Sequence, residues 1–241
     1  MGPKVACPVG ALPRSARGLL FDLGNIVHDD SLWQQWLWQL LRRLGVPVPF
    51  PAFSRLWRDE YLDDVYRGRR DFGEAFRSFL LFLGLSSAEI DEVEAAGQAR
   101  RRQSNAAARP LPGVRPTLAR LHAAGTVLGV LGNSEHPAAA LRRQLDGFAL
   151  EGLFAAVLSS MDLGRSKPDL LCYLAAVEAM GLAPADVAFV GHDAAELAGA
   201  ARAGLMTVAF NFQPGAAADV FIARFEDLLG VVTARPTQAA A

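Results

Sequence analysis

Cysteine is nearly absent: Cys7 and Cys172 are the only two in 241 residues. Thiols so few and so far apart build no disulfide framework, so a reducing cytoplasm is the expected compartment. Net charge is also missing, with 24 Lys and Arg against 25 Asp and Glu. That excludes a general electrostatic pull toward nucleic acid or an anionic membrane, and neither is expected as a partner. Two local arginine clusters, Arg67/Arg69/Arg70 and Arg100/Arg101/Arg102, sit beside acids or on helical stretches and read as solvated faces. No run approaches the ~20 apolar residues of a membrane span. Residues 1–17 lack a long apolar core and are expected to form a loose leader rather than a signal peptide. Residues 233–241 read as an alanine-rich tail, and no internal repeat is present.

What the chain does have is apolar patterning, with 51% of residues hydrophobic, enough for a sizeable core at this length. Short apolar runs ending in Gly, Asn, Ser or Asp predict buried parallel strands at Gly18–Phe21, Val127–Leu131, Ala155–Ser159, Val187–Val190 and Thr207–Phe210. Helical spacing predicts helices at Pro116–Ala124, Pro137–Leu145, Pro168–Met180 and Ala194–Ala203. Alternation of this kind implies an α/β fold, a doubly wound, Rossmann-like parallel sheet covered on both faces.

Between Ser31 and Asn105 the rhythm breaks. This interval carries all four tryptophans (Trp33, Trp36, Trp38 and Trp57) and no strand run. "SLWQQWLWQLLRRLGV" and "DFGEAFRSFLLFLGL" read as amphipathic helices ending at glycine, and "SSAEIDEVEAAGQARRRQ" as a serine-capped helix ending in arginines. The expected organisation is therefore an α/β core of residues 18–30 and 106–232 with an all-helical cap at 31–105. "RPLPGVRPT" supplies the return linker.

In open α/β sheets ligands bind at the carboxyl ends of the strands. Four such ends carry polar or glycine clusters: Asp22-Leu23-Gly24-Asn25, Gly132-Asn133-Ser134, Gly164-Arg165-Ser166-Lys167 and Gly191-His192-Asp193. Their convergence marks a site, although a lone strand-end Asp is usually a turn former. His28 and the Asp29-Asp30 pair fall where a short hairpin leads into the cap, and the two acids are good N-terminal signals for the following helix. His136 reads as a helix-entry turn, and the tryptophan stripe as cap core.

From Gly18 to about Phe210 the sequence resembles the haloacid dehalogenase-like hydrolases. "FDLGNIVHD" and "GRSKPDLLCYLAAVEAMGLAPADVAFVGHDAAELAGAARAGLMTVAF" carry the resemblance. It implies Asp22 as a covalent carboxylate nucleophile and Lys167 as the cation that holds it. It also implies a substrate or phosphate-binding turn at Gly132, Asn133 and Ser134, and a magnesium site built from Asp22, the Gly24 carbonyl, Asp193 and Glu196. The implied activity is hydrolysis of a small phosphorylated metabolite through an aspartyl-phosphate.

Four positions depart from the commonest pattern of that family. Gly24 stands where a second Asp acts as general acid and base, Gly132 replaces a hydroxyl residue, and His192 replaces the first acid of the last motif, with Glu196 for its final Asp. Loss of a general acid typically removes ~10²–10⁴ in rate. Two alternatives follow: a metal-independent haloacid dehalogenase-type hydrolase, since halide departure needs no strong acid, and a catalytically reduced binding protein.

Overall fold

The structure, a computed structural model, describes residues 12–233. The leader before residue 12, with Cys7, and the tail after residue 233 lie outside the described residues. Six parallel strands form one sheet: β1 (Gly18–Phe21), β2 (Val127–Gly132), β3 (Ala156–Ser159), β4 (Val187–Gly191), β5 (Met206–Ala209) and β6 (Val220–Phe221). Their spatial order is β3-β2-β1-β4-β5-β6. Strand β1 is central, with Gly18 facing Val127 on one side and Val187 on the other. Its four residues are all buried, as expected of a run with both faces covered.

Alternation along β1 sends Leu19 and Phe21 to one apolar core and Leu20 to another. Behind the first lie Leu118 and Leu121 of α6 (Val114–Ala123), Leu141 and Leu145 of α7 (Ala138–Gly147), and Leu228 and Val231 of α11 (Leu228–Thr233). Behind the second lie Tyr173 and Val177 of α9 (Leu170–Ala179) and Leu197 of α10 (Ala194–Arg202). A short helix, α8 (Ser160–Leu163), follows β3. At Gly129, in the middle of β2, a Cβ would fall 2.6 Å from the Met180 sulfur, so glycine lets the end of α9 approach the sheet.

Each strand predicted from sequence is present, shifted at its ends by one residue at most. Strand β6 was not foreseen, because its two residues follow a Pro-Gly-Ala stretch that reads as loop. A side chain anchors it: the Asp219 carboxylate accepts from the Thr207 N–H at 2.8 Å and its hydroxyl at 3.0 Å.

The interval between β1 and β2 is helical throughout its regular elements: α1 (Ser31–Arg43), α2 (Phe50–Leu56), a π-helical turn (Trp57–Leu62), α3 (Asp63–Tyr66), α4 (Phe72–Phe82) and α5 (Ser87–Ala107). It has its own core, in which Trp57 and Phe79 lie 4.9 Å apart between ring centres beside Leu37, Leu41, Phe53 and Phe76. Of the tryptophans only Trp57 is fully buried; Trp33, Trp36 and Trp38 flank that core. Asp71 caps α4 by accepting from Gly73 and Glu74, and Ser86 caps α5 in reciprocal contact with Glu89. Helix α5 runs on to Ala107, so its arginines lie upstream of the last turn and do not complement its dipole as expected.

Replacing Trp57 by alanine leaves a cavity among Phe53, Phe76 and Phe79. A loss of about 3–5 kcal/mol is expected by urea denaturation.

Candidate active site

The order of the sheet reverses between β1 and β4, which opens a crevice at their carboxyl ends. Asp22 ends β1, and its N–H donates to the Val190 carbonyl at 3.0 Å, so the sheet itself fixes its backbone. Its Oδ1 accepts from the Leu23 N–H at 2.8 Å and from the Lys167 ammonium at 2.5 Å. Its Oδ2 faces His192 Nδ1 at 3.3 Å. Lys167 has no solvent-exposed side-chain surface and also pairs with Glu196 Oε2 at 2.8 Å.

Asn133 holds this arrangement. Its Oδ1 accepts from the Lys167 N–H at 2.8 Å, and its Nδ2 donates to the Lys167 carbonyl at 3.1 Å and to Glu196 at 3.3 Å. The side chain expected to bind substrate is thus spent on positioning the lysine. Ser134 is likewise engaged: its N–H donates to Ser160 Oγ at 2.9 Å and its hydroxyl accepts from the His136 N–H at 3.0 Å. Gly132 offers no hydroxyl, and a side chain there would meet Leu141 and Leu23.

The electrostatics follow from this packing. Burial opposes ionisation of Asp22, but the Lys167 ammonium and His192 outweigh it and lower the carboxyl to about 2. Burial also opposes the Lys167 charge, yet Asp22 and Glu196 raise its pKa. At His192 the balance is similar, with Asp22 and Glu196 raising the imidazole against desolvation. Glu196 is raised to about 7, chiefly by burial, against the pull of Lys167. Asp22 is therefore an ionised carboxylate held by the Lys167 ammonium and facing an imidazole whose protonation it favours.

Magnesium takes oxygen donors in near-octahedral geometry. The expected donors do not fit it. Beside Asp22 Oδ2 stands an imidazole, and Glu196 is paired with Lys167. The Asp193 Oδ1 caps α10 through the N–H groups of Ala195 and Glu196, while Oδ2 meets Arg58 at 3.3 Å. Among the described residues no group of three or more His, Cys, Asp or Glu is disposed to hold a metal ion. The four positions expected from sequence, Asp22, Gly24, Asp193 and Glu196, thus share a neighbourhood without forming a magnesium site.

The chain matches the haloacid dehalogenase-like hydrolase family over residues 16–204. It belongs to that family. This haloacid dehalogenase-like hydrolase is 36% identical to (S)-2-haloacid dehalogenase 4A of Burkholderia cepacia over 104 residues, 42% of this chain and 43% of that protein. It is 32% identical over 195 residues to a phosphatase of Mycobacterium tuberculosis, covering 79% of this chain and 85% of the relative. Its fold is similar to that of the L-2-haloacid dehalogenase from Xanthobacter autotrophicus with chloropropionic acid covalently bound, at a TM-score of 0.62 and 21% identity. That likeness covers 90% of this chain and 98% of the other.

One side chain on the helical insertion, Arg58, has no signal in the sequence, and another, Arg67, is engaged rather than part of a solvated face as expected. Arg58, on the π-helical turn, reaches across to Asp193, and Arg67 Nε donates to Ser166 Oγ at 3.1 Å beside the lysine loop. Neither sits in a recognisable motif, and a π-helical turn leaves no clear sequence period. A cavity of about 330 Å³ opens beside His192, lined also by Asn25, Asp29, Leu111 and Asn211. His136 faces elsewhere, paired with Glu135 at 3.4 Å, as its helix-entry position suggested. No helix among the described residues is long and apolar enough to cross a membrane.

Lys167→Ala leaves Asp22 and Glu196 buried without their cation. A loss of about 3–5 kcal/mol is expected. In that variant both folded-state carboxyls lie higher than in the wild type, where Lys167 lowers them, so its folded form keeps protons that the wild-type folded form has released. The deficit therefore widens as the pH rises from about 4 to about 8, as urea titrations across that range would show.

Proposed function

We propose that this protein is a metal-independent hydrolase that displaces halide from a small 2-haloacid through an ester on Asp22. The observation that carries the reading is the ring of partners around that carboxylate. Lys167 is its cation, the His192 ring faces it, and Asp193, next to His192 in sequence, is turned to a helix terminus and Arg58. Such a site keeps a nucleophile ionised without a metal. The similarity to a 2-haloacid dehalogenase supports the choice of electrophile.

The geometry supplies both halves of the reaction. Because Oδ1 holds the Leu23 N–H and Lys167 while Oδ2 meets the His192 ring at 3.3 Å, Oδ2 is the less tightly held oxygen and the one that attacks. It forms a bond to the halogen-bearing carbon while the carbon–halogen bond breaks and halide leaves with its electron pair. Oδ1 then becomes the ester carbonyl oxygen. When water adds to Cγ, the developing oxyanion already lies at 2.8 Å from one donor and 2.5 Å from an ammonium. Residues 31–105 act as a cap on the core of 18–30 and 106–232, and Arg58, half exposed at its edge, meets the carboxylate of an entering substrate.

The second reading is phosphoryl transfer from a small phosphorylated metabolite, which the mycobacterial relative and the paired Asp22 and Lys167 support. Against it stand the engaged Asn133 and Ser134 and the missing hydroxyl at Gly132.

Halide release from 2-chloropropionate and phosphate release from p-nitrophenyl phosphate separate the two. Halide release is expected at the same rate with magnesium or with EDTA, and a loss of at least ~10³ in Asp22→Asn. Magnesium-dependent phosphate release without halide release would favour the second reading. Ligand binding with neither product would favour a binding protein.

A further inference from the structure

Opening a covalent intermediate on Asp22 needs a base for the attacking water, and the groups around Asp22 are already committed. Lys167 pairs with Asp22 and Glu196, the His192 ring faces Asp22 Oδ2, Glu196 is held between Lys167 and Asn133, and Asp193 is shared between the α10 terminus and Arg58. Two further carboxyls lie at the cleft: Asp29 lines the cavity with His192, and Asp30 reaches the turn that follows Asp22. Asp30 occupies the N-terminal cap position of α1, yet its side chain makes no cap hydrogen bond. It points back to the turn after β1 instead. A Cβ placed on Gly24 would fall 2.5 Å from Asp30 Oδ2 and 3.3 Å from its carboxyl carbon. The space beside the nucleophile that a side chain at position 24 would fill is taken by a carboxylate arriving from position 30.

The backbone explains how it gets there. After Asp22 the chain turns tightly: the Asn25 N–H donates to the His28 carbonyl at 2.7 Å, and Asn25 adopts a φ of +57°. The Asp30 N–H is within 3.4 Å of Asn25 Oδ1, which closes the loop and returns Asp30 beside Gly24.

We propose that Asp30 is the general base of this site, taking the proton of the water that opens the Asp22 intermediate. In the ester case, water oxygen bonds to Asp22 Cγ while one water proton passes to Asp30. The bond from Cγ to the substrate oxygen then breaks, and Asp30 returns its proton to the departing alkoxide, giving the 2-hydroxy acid. The new Asp22 carboxyl loses its proton to solvent. The role rests on an intermediate at Asp22 but not on which electrophile made it, because a phosphoryl intermediate needs the same base. Asp30 keeps an exposed surface, yet desolvation of its carboxyl in the cleft and the nearby Asp22 raise its pKa against the pull of His28 and His192, which makes it a stronger base than an ordinary carboxylate.

The test exchanges the two positions. Asp30→Ala is expected to lose at least about a hundredfold in steady-state turnover, while the first turnover still releases its leaving group and the adduct on Asp22 accumulates in intact-protein mass spectra. The Gly24→Asp/Asp30→Ala double variant has room for its new side chain, since the remaining Asp30 Cβ lies 3.5 Å from the added Cβ. It is expected to recover at least about tenfold over Asp30→Ala. Turnover in Asp30→Ala within threefold of wild type overturns the proposal, as does a slowed first turnover without adduct. A folded double variant no better than Asp30→Ala, with thermal melts confirming the fold, also overturns it. The series is run with the substrate class that the wild type turns over, so phosphate release without halide release would refute dehalogenation and still decide the role of Asp30. A wild type inactive on both classes overturns both proposals.

Discussion

Everything in this protein's cleft depends on keeping one carboxylate ionised inside the protein. A buried charge survives only where paired charges and hydrogen bonds replace its water. Asp22 meets that condition through a fully buried lysine, a backbone N–H and an imidazole. The lysine in turn needs Glu196 and the two-sided clamp of Asn133 on its own peptide groups. Strands β1, β2 and β4 and the loop after β3 each contribute one part, so the geometry is a property of the whole parallel sheet.

The same pairing accounts for the division of labour across the cleft. The core holds the Asp22 carboxylate, and the helical insertion brings long side chains to its rim. Arg58 from the π-helical turn meets Asp193, Arg67 meets Ser166, and Arg101 from α5 pairs with Glu135 after β2. These partners join the insertion to three loops that surround Asp22. The half-exposed Arg58–Asp193 pair is the kind that contributes little to stability, which suits a contact that must part for a substrate to enter.

Much of the fold was legible in the sequence because its signals are local. Apolar runs ending in Gly or Asp mark strands buried on both faces, and capping residues such as Asp71 and Ser86 mark helix starts. Asp22 and Lys167 were legible because both end apolar strands or follow them closely in recognisable motifs. The roles of Asn133, Asp193 and Asp30 were not. Asn133 is spent on a residue 34 positions away, and Asp193 divides its two oxygens between its own helix and a distant arginine. Asp30 looks like a helix cap in sequence and holds that position in space, yet its carboxylate lies beside Gly24. Such assignments are decided by competition among partners far apart in the chain, which no spacing rule records.

The central claim is that Asp22 forms an ester that water opens at its own carboxyl carbon. A single turnover of 2-chloropropionate with enzyme in excess in heavy-oxygen water tests it directly, with the Asp22 peptide and the product analysed by mass spectrometry. The account predicts solvent oxygen in the Asp22 carboxylate and ordinary oxygen in the first 2-hydroxy acid formed. Solvent oxygen in that first product, with none in Asp22, would contradict it.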